Sequence, residues 1–335
     1  MLAGGYATRL RPISYVIPKL LFPVAGKPMI YWTLDLLKRF QVDEVVLAVN
    51  YLAEDLRNAV GDEYRGIRIK YSLERTPLGT AGPIKLASKM TRLTKTFIAM
   101  NGDITTNIDF NKMLQSHKSS KAAVTDALRE VQNPSRFGVV ELDAASRIMR
   151  FVEKPGRTEA PSRFINAGIY LIEPSVLKRI PSARKVSLER EIFPVLARRG
   201  KLGGFKLSDY WFDIGNFSDY RKANFALIEK TGHAPAGFES NLGPNVVLGK
   251  NVLVGKRVRI SNSIIFDNVK IGEKSTLSGV IVASESRIGK DVRIERGAII
   301  SPHVSIGDGV KIGKGAVIHP YKEITQHIRA WAQVM

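Results

Sequence analysis

The chain has no cysteine in 335 residues. That excludes a disulfide framework, a thiolate zinc site and a cysteine nucleophile, and it fits a reducing, cytoplasmic setting. No apolar run approaches the roughly 20 residues that cross a bilayer, and nothing resembles a cleavable leader, so no membrane partner is expected. The five histidines are scattered, which argues against a zinc cluster. No Gly-x-Ser-x-Gly elbow is present, and the first Gly-rich loop lacks the Gly-Lys-Ser/Thr ending of a phosphate-binding P-loop.

Basic charge, by contrast, is abundant. There are 51 Lys and Arg against 31 Asp and Glu, a net charge of +20. Such a surplus points to polyanions: nucleic acid, an anionic membrane surface or phosphate-rich small molecules. Its distribution narrows the choice. Residues 1–230 hold 37 basic and 23 acidic residues, and residues 231–335 hold 14 and 8. There is no basic arm and no helix-turn-helix or finger spacing, so nucleic acid is not expected and small phosphates are.

Aliphatic residues recur six apart at Leu248, Val254 and Ile260, at Ile271 and Leu277, and from Val282 through Ile288, Ile294, Ile300, Ile306 and Ile312 to Ile318. Five-residue steps at Ile265 and into Val282 interrupt the run. This is the hexapeptide pattern of a left-handed parallel β-helix, with the aliphatic residue pointing inward. About thirteen such units give roughly four coils, in which Gly249, Gly255, Gly272, Gly289, Gly307 and Gly313 are expected to permit the corner turns.

Upstream, short β-branched runs such as Val45–Val49 and Thr96–Met100 alternate with amphipathic helical stretches. That alternation predicts an α/β class protein with a doubly wound, Rossmann-like mixed sheet. The expected division is a catalytic domain over 1–230, a linker over 231–243 centred on Gly232–Gly237, and the β-helix over 244–335. Ligands of such sheets bind beyond the carboxyl ends of the strands, so the loops there carry the candidates.

Leu2-Ala3-Gly4-Gly5-Tyr6-Ala7-Thr8-Arg9 runs a strand end into paired glycines and an arginine fork suited to phosphate oxygens, though a plain Gly-rich turn reads equally well. Lys19 and Lys27 bracket an apolar stretch before a helix. The loop from Glu74 to Pro83 holds Pro77, Gly79 and Thr80; Thr80 either caps the next helix or faces a nucleotide. Asp103 in Asn101-Gly102-Asp103 follows a strand, where a carboxylate holds Mg²⁺ or simply forms a turn. Glu153-Lys154-Pro155 and Asn166-Ala167-Gly168 could hold a phosphate and sugar hydroxyls. Asp213 sits among aromatics in Tyr210–Gly215 and needs a cationic partner.

Taken in order, these segments and the β-helix after them resemble the sugar-1-phosphate nucleotidylyltransferases over essentially the whole chain. Pro77–Pro83, Ser135–Val140 and Ser187–Pro194 look most like the members that join GTP to mannose 1-phosphate. The resemblance implies that Arg9, Lys19, Asp103, Lys154 and Asp213 are catalytic. Leu2, Ala3, Gly4, Gly5, Pro77, Gly79 and Thr80 would hold the nucleotide, and Gly138, Glu153 and Asn166 the sugar. Asp103 and Asp213 would carry Mg²⁺, and the enzyme would be a homo-oligomer. Its members usually have several residues ahead of the Leu-Ala-Gly-Gly segment, so either residues precede Met1 in the gene or the first strand is short, with a thin ladder around it. Ala7 stands where they commonly have glycine, which is tolerable at negative φ. Other readings are a thymidylyl- or uridylyltransferase acting on glucose 1-phosphate, a silent nucleotide-sugar-binding subunit, and acyl transfer on the β-helix.

Overall fold

Val45–Val49 lies in the strand Glu44–Val49, which pairs in parallel with Ile67–Leu73. A larger mixed sheet runs in the order Ile148–Glu153, Gly138–Leu142, Phe164–Ile172, Val124–Glu130, Leu202–Lys206, and Phe97–Met100 pairs antiparallel with Phe164–Ile172. The computed structural model describes residues 1–156, 159–182, 184–231 and 241–335. The Gly232–Gly237 linker lies outside the described residues. Two compact units emerge: Met1–Gly5 with Trp32–Asp213, and Tyr6–Tyr31 with Ile214–Met335.

In the first unit Leu2 joins the two sheets. It bridges in parallel to Ala48 on one side and Asn101 on the other. Its N–H donates to the Met100 carbonyl and the Ala3 N–H to the Ala48 carbonyl, each at 2.8 Å. Beside this short bridge lies a cavity of about 550 Å³, lined by Met1, Val46, Phe97 and Ile98 among others. The Met1 amine donates to the Val46 carbonyl at 2.8 Å, and burial lowers its pKa to about 5. The core proper lies on the mixed sheet, where Phe193 packs edge-on to Phe151 and against Tyr170, each at 5.3 Å.

The second unit is dominated by a parallel β-solenoid of about five turns, and Tyr6–Tyr31 and the helix Phe217–Thr231 belong to the same unit. The solenoid interior is a continuous column of Val, Leu and Ile from Val246 to Ile324. Val247 pairs with Ile264, and Ile264 with Ile281, a turn of 17 residues; Ile281 pairs with Ile299, and Ile299 with Val317, a turn of 18. The two five-residue steps in the sequence pattern are therefore two shortened turns. Roughly four coils were expected; the fifth escapes the hexad count because its turn shrinks to 16 residues, pairing Val317 with Gln333.

The glycines act differently from expectation. The left-handed corner positions are filled mostly by Asn245, Asn251, Arg257, Asn262, Asn268 and their equivalents. Gly272 and Gly313 instead lie where a Cβ would come within 2.5 Å of Gly289 C and 2.4 Å of Ala330 N on the next coil. They are needed for close stacking, not for the turn. An aromatic trio fastens the N-terminal segment of this unit to the solenoid: Phe22 lies 5.5 Å from Phe266 and 5.8 Å from Tyr220.

Candidate active site

The sheet ends of the first unit gather most of the candidate residues. Trp211–Asp213 pairs antiparallel with Ile104–Thr106, and Asp213 falls opposite Ile104. That register sets Asp213 across from the residue that follows Asp103. Trp211 locks the strand in place by donating Nε1–H to the Ala167 carbonyl at 2.9 Å, and its ring meets Phe137 edge-on at 5.9 Å.

Ala167 belongs to a bulge in Phe164–Ile172, between Asn166 and Tyr170. Asn166 shapes this bulge: Oδ1 accepts from Gly168 N–H at 2.7 Å and Nδ2 donates to the Tyr170 hydroxyl at 2.9 Å. Gly168 has φ +72, and a Cβ there would sit 2.5 Å from Asn101 Nδ2. The Asn101 N–H donates to the Gly168 carbonyl at 2.8 Å. The turn bearing Asp103 is thus braced against the bulge bearing Asn166.

Gly138 lies opposite Glu153 in the neighbouring strand pair. A Cβ on Gly138 would fall 2.5 Å from Phe151 Cζ and 2.9 Å from Glu153 Oε2. Only glycine leaves that carboxylate its place. Lys154 follows in the left-handed region at φ 50, its N–H held by the Phe137 carbonyl at 3.0 Å and its Nζ 3.7 Å from Glu153 Oε1. The pair is asymmetric: Glu153 is mostly covered at 18% exposure, whereas Lys154 reaches solvent at 63%. Burial, and then the Glu189 carboxylate, push Glu153 above the usual carboxylate range, against the pull of Lys154 and Arg190.

The loop after Glu74 is tied to the first glycine turn. Glu74 Oε1 accepts from Leu78 N–H, while Oε2 lies 3.5 Å from the Cβ position of Gly4; Gly5 has open space around it. Pro77 and Gly79 lie in this loop, and Gly79 has φ +82 with its Cβ position only 2.4 Å from the Val186 carbonyl oxygen. Thr80 occupies the N-cap position of Ala81–Ala87 but makes no cap bond there. Its hydroxyl instead donates to Glu189 Oε2 at 2.6 Å and accepts from Leu188 N–H at 2.9 Å. Of the two sequence readings of Thr80 the helix cap is therefore not formed: the acceptor that would have served the helix is taken by a partner 108 residues away.

Sequence reasoning passed over Glu74, Glu189 and Trp211 as individual residues. For Glu189 a signal existed: Ser187 is the N-cap of the helical turn Leu188–Ile192, accepting from Arg190 N–H, and Glu191 accepts Ser187 N–H in capping-box fashion. Glu189 Oε2 accepts the hydroxyls of both the N-cap Ser187, at 2.7 Å, and Thr80.

The second unit carries Arg9 and Lys19. Arg9 lies in the turn Thr8–Leu10, its guanidinium Nη2 3.1 Å from the Cβ position of Gly215. Lys19 opens the turn Lys19–Leu21. Ala7 sits at φ 46 and ψ 40, in the left-handed region. The negative φ under which alanine would be tolerated there is not adopted, so Ala7 costs about 1 kcal/mol relative to glycine.

A profile of the nucleotidyl transferase family (Nucleotidyl transferase) matches residues 1–230, and one described as the GMPPB C-terminal domain matches residues 227–334. The chain belongs to the nucleotidyl transferase family. It is 36% identical over 324 residues to a mannose-1-phosphate guanyltransferase of Aspergillus fumigatus, covering 88% of each chain. Among solved structures it resembles a putative glucose-1-phosphate thymidylyltransferase from Bacillus anthracis in complex with a sucrose, with TM-score 0.62 and 27% identity over 71% of this chain and 96% of that one. It also resembles HddC from Yersinia pseudotuberculosis complexed with GMP-PN, with TM-score 0.58 and 30% identity over 68% and 97%.

Nucleotidyltransferases generally use a divalent metal ion. The donor set here fits one. Asp103 and Asp213 offer hard oxygen ligands on facing strand ends, though among the described residues no group of three or more His, Cys, Asp or Glu gathers at this site or at any other. Two carboxylates that leave coordination positions open for water and phosphate oxygens suit a hard divalent cation. Among the described residues no helix is long and apolar enough to cross a membrane.

Proposed function

We propose that this nucleotidyltransferase joins GTP to mannose 1-phosphate, releasing GDP-mannose and pyrophosphate. The observation that supports the reading is the antiparallel pair of Trp211–Asp213 with Ile104–Thr106, in which Asp213 lies opposite the residue that follows Asp103. The relative from Aspergillus fumigatus, named a mannose-1-phosphate guanyltransferase, supports mannose as the sugar, and HddC, complexed with GMP-PN, supports guanine.

An oxygen of the sugar phosphate attacks the α-phosphorus in line. The bond from that phosphorus to the bridging oxygen breaks, and pyrophosphate leaves with the electron pair. The nucleophile is already anionic, so no general base is needed, and the work is positioning and charge stabilisation. Lys154 holds the sugar phosphate, fixed by its backbone bond to Phe137. Glu153 and Asn166 accept and donate to sugar hydroxyls beside the bare Gly138. Leu2 to Gly5 and the loop with Pro77, Gly79 and Thr80 receive the nucleotide, where backbone can approach closely. Arg9 offsets charge on the α-phosphate and Lys19 on the triphosphate. When bound by Asp103 and Asp213, Mg²⁺ supplies Lewis-acid stabilisation of the phosphate oxygens. The reading includes the three-part division at 230 and 243, a cytoplasmic setting and a homo-oligomer.

The role of Lys154 separates this reading from a silent nucleotide-binding subunit. In Lys154→Ala the KM for mannose 1-phosphate is expected to rise at least 10-fold with the KM for GTP nearly unchanged. A variant with both constants unaltered would remove Lys154 from the sugar phosphate site.

A further inference from the structure

The loop with Pro77, Gly79 and Thr80 is attached to a segment more than 100 residues further along the chain. Gly79 pairs in parallel with Val186; the Val186 N–H donates to the Leu78 carbonyl and the Ala81 N–H to the Val186 carbonyl, each at 2.9 Å. A ladder this short is marginal in water by itself. The side chain that reinforces it is Glu189, whose Oε2 accepts the Thr80 hydroxyl at 2.6 Å.

An unusual turn sets Glu189 for this contact. Leu188–Ile192 is π-helical, with the Phe193 N–H donating to the Leu188 carbonyl five residues back. Wide turns of this kind gather at functional sites. The neighbouring polar groups hold the turn itself. Glu191 accepts from the Ser187 N–H at 3.0 Å and from the Arg184 guanidinium at 2.9 Å, while Ser187 Oγ accepts from the Arg190 N–H. Glu189 reaches across to the loop, and its Oε2 takes the Ser187 hydroxyl at 2.7 Å as well as that of Thr80. Hydrogen bonds to a carboxylate are roughly twice as strong as neutral ones. The Thr80 hydroxyl gives its one hydrogen to Glu189 and accepts from the Leu188 N–H at 2.9 Å, so a single lone pair is all it has left for a nucleotide.

We propose that Glu189 is a positioning residue for the nucleotide: it holds the Thr80 hydroxyl, and through it the loop, which then meets the nucleotide with its backbone and not with the Thr80 side chain. The inference rests on the reading in which this loop receives the nucleotide. It assigns the Thr80 hydroxyl to the loop's own geometry, and it gives the Glu189 carboxylate, which touches no substrate in this scheme, an effect on nucleotide affinity alone. A loop fixed before the nucleotide arrives spares the cost of ordering it on binding.

The test measures the full chain with Mg²⁺ in two ways, by steady-state KM and by calorimetric affinity, with whichever of GTP, UTP and dTTP the unaltered chain binds best. Binding without turnover would defeat the catalytic reading and still decide this one through the affinities. Glu189→Ala is expected to weaken the nucleotide about 10-fold, by KM and by affinity, and to leave mannose 1-phosphate within about 2-fold. Glu189→Gln keeps an oxygen that can accept both hydroxyls and should recover most of the loss. Thr80→Val should weaken the nucleotide by a similar factor, and the double variant Thr80→Val with Glu189→Ala should be no worse than the poorer single one, because both remove the same bond. Effects that multiply to about 100-fold in the double variant would overturn the proposal, since Thr80 would then touch the nucleotide on its own account. So would equal losses for nucleotide and sugar phosphate in Glu189→Ala, which mark general damage to the fold, or unaltered nucleotide affinity in that variant.

Discussion

Asp213 lies directly opposite Ile104 in an antiparallel pair, and Ile104 is the residue after Asp103. Two residues 110 positions apart in sequence are thereby brought onto facing strand ends by backbone pairing. Because the backbone sets the geometry, Asp103→Asn is expected to fold normally while turnover falls at least 100-fold, the scale of a lost charge-stabilising group. Circular dichroism and a pyrophosphate-release assay check the two halves separately. Near-normal kcat in the variant would take Asp103 out of the metal site.

Gly138 faces a carboxylate and a ring that leave no room for a methyl group. In Gly138→Ala both Phe151 and Glu153 must move, so the substitution displaces the carboxylate and also disturbs the contact of Phe151 with Phe193. The expected outcome is a rise of about 10-fold in the KM for the sugar phosphate with little change in that for the nucleotide, measured by steady-state kinetics.

Asp126 is wholly buried, and both carboxylate oxygens lack a hydrogen-bond partner. Burial, and then Glu189, push its pKa well above the usual range. The folded chain therefore keeps a proton that the unfolded chain releases near the ordinary carboxylate value. Stability is fully present below that value and is lost as pH rises toward the folded one. Asp126→Asn removes this dependence, so the variant should gain more Tm at pH 8 than at pH 5. Thermal melts across that range suffice, and equal shifts at both ends would contradict the assignment.

Phe266 of the solenoid contacts Phe22 and Tyr220 within the second unit. Phe266→Ala should cost about 3–5 kcal/mol, the usual range for an emptied aromatic site. Chemical denaturation gives the number. Because Phe22 and Tyr220 lie before residue 231, cutting the chain after Lys230 would expose both rings as well as remove the solenoid.

What the sequence conveyed follows from which interactions are local. The hexad of aliphatic residues is written along one strand after another, so the solenoid was legible, and even its two shortened turns appeared as five-residue steps at Ile265 and Val282. Gly138, Glu153 and Lys154 were legible as motif residues, but not the reason for the glycine, which depends on Phe151 in the paired strand. Thr80 stays open between a cap and a nucleotide contact in the sequence because its partner, Glu189, is distant there. Stacking glycines such as Gly272 were read as turn formers because the coil that forbids a side chain is itself a tertiary neighbour. Asp126 gave no signal at all, since an acid in a strand that also carries Thr125, Arg129 and Glu130 looks the same whether buried or solvated.

The central claim is tested most directly by measuring pyrophosphate release over a matrix of GTP, dTTP, UTP and ATP with mannose 1-phosphate and glucose 1-phosphate, in the presence of Mg²⁺. The account predicts that GTP with mannose 1-phosphate has the highest kcat/KM and yields GDP-mannose in equal amount to pyrophosphate. A clear preference for dTTP or UTP with glucose 1-phosphate, or no turnover with any pair, would contradict it.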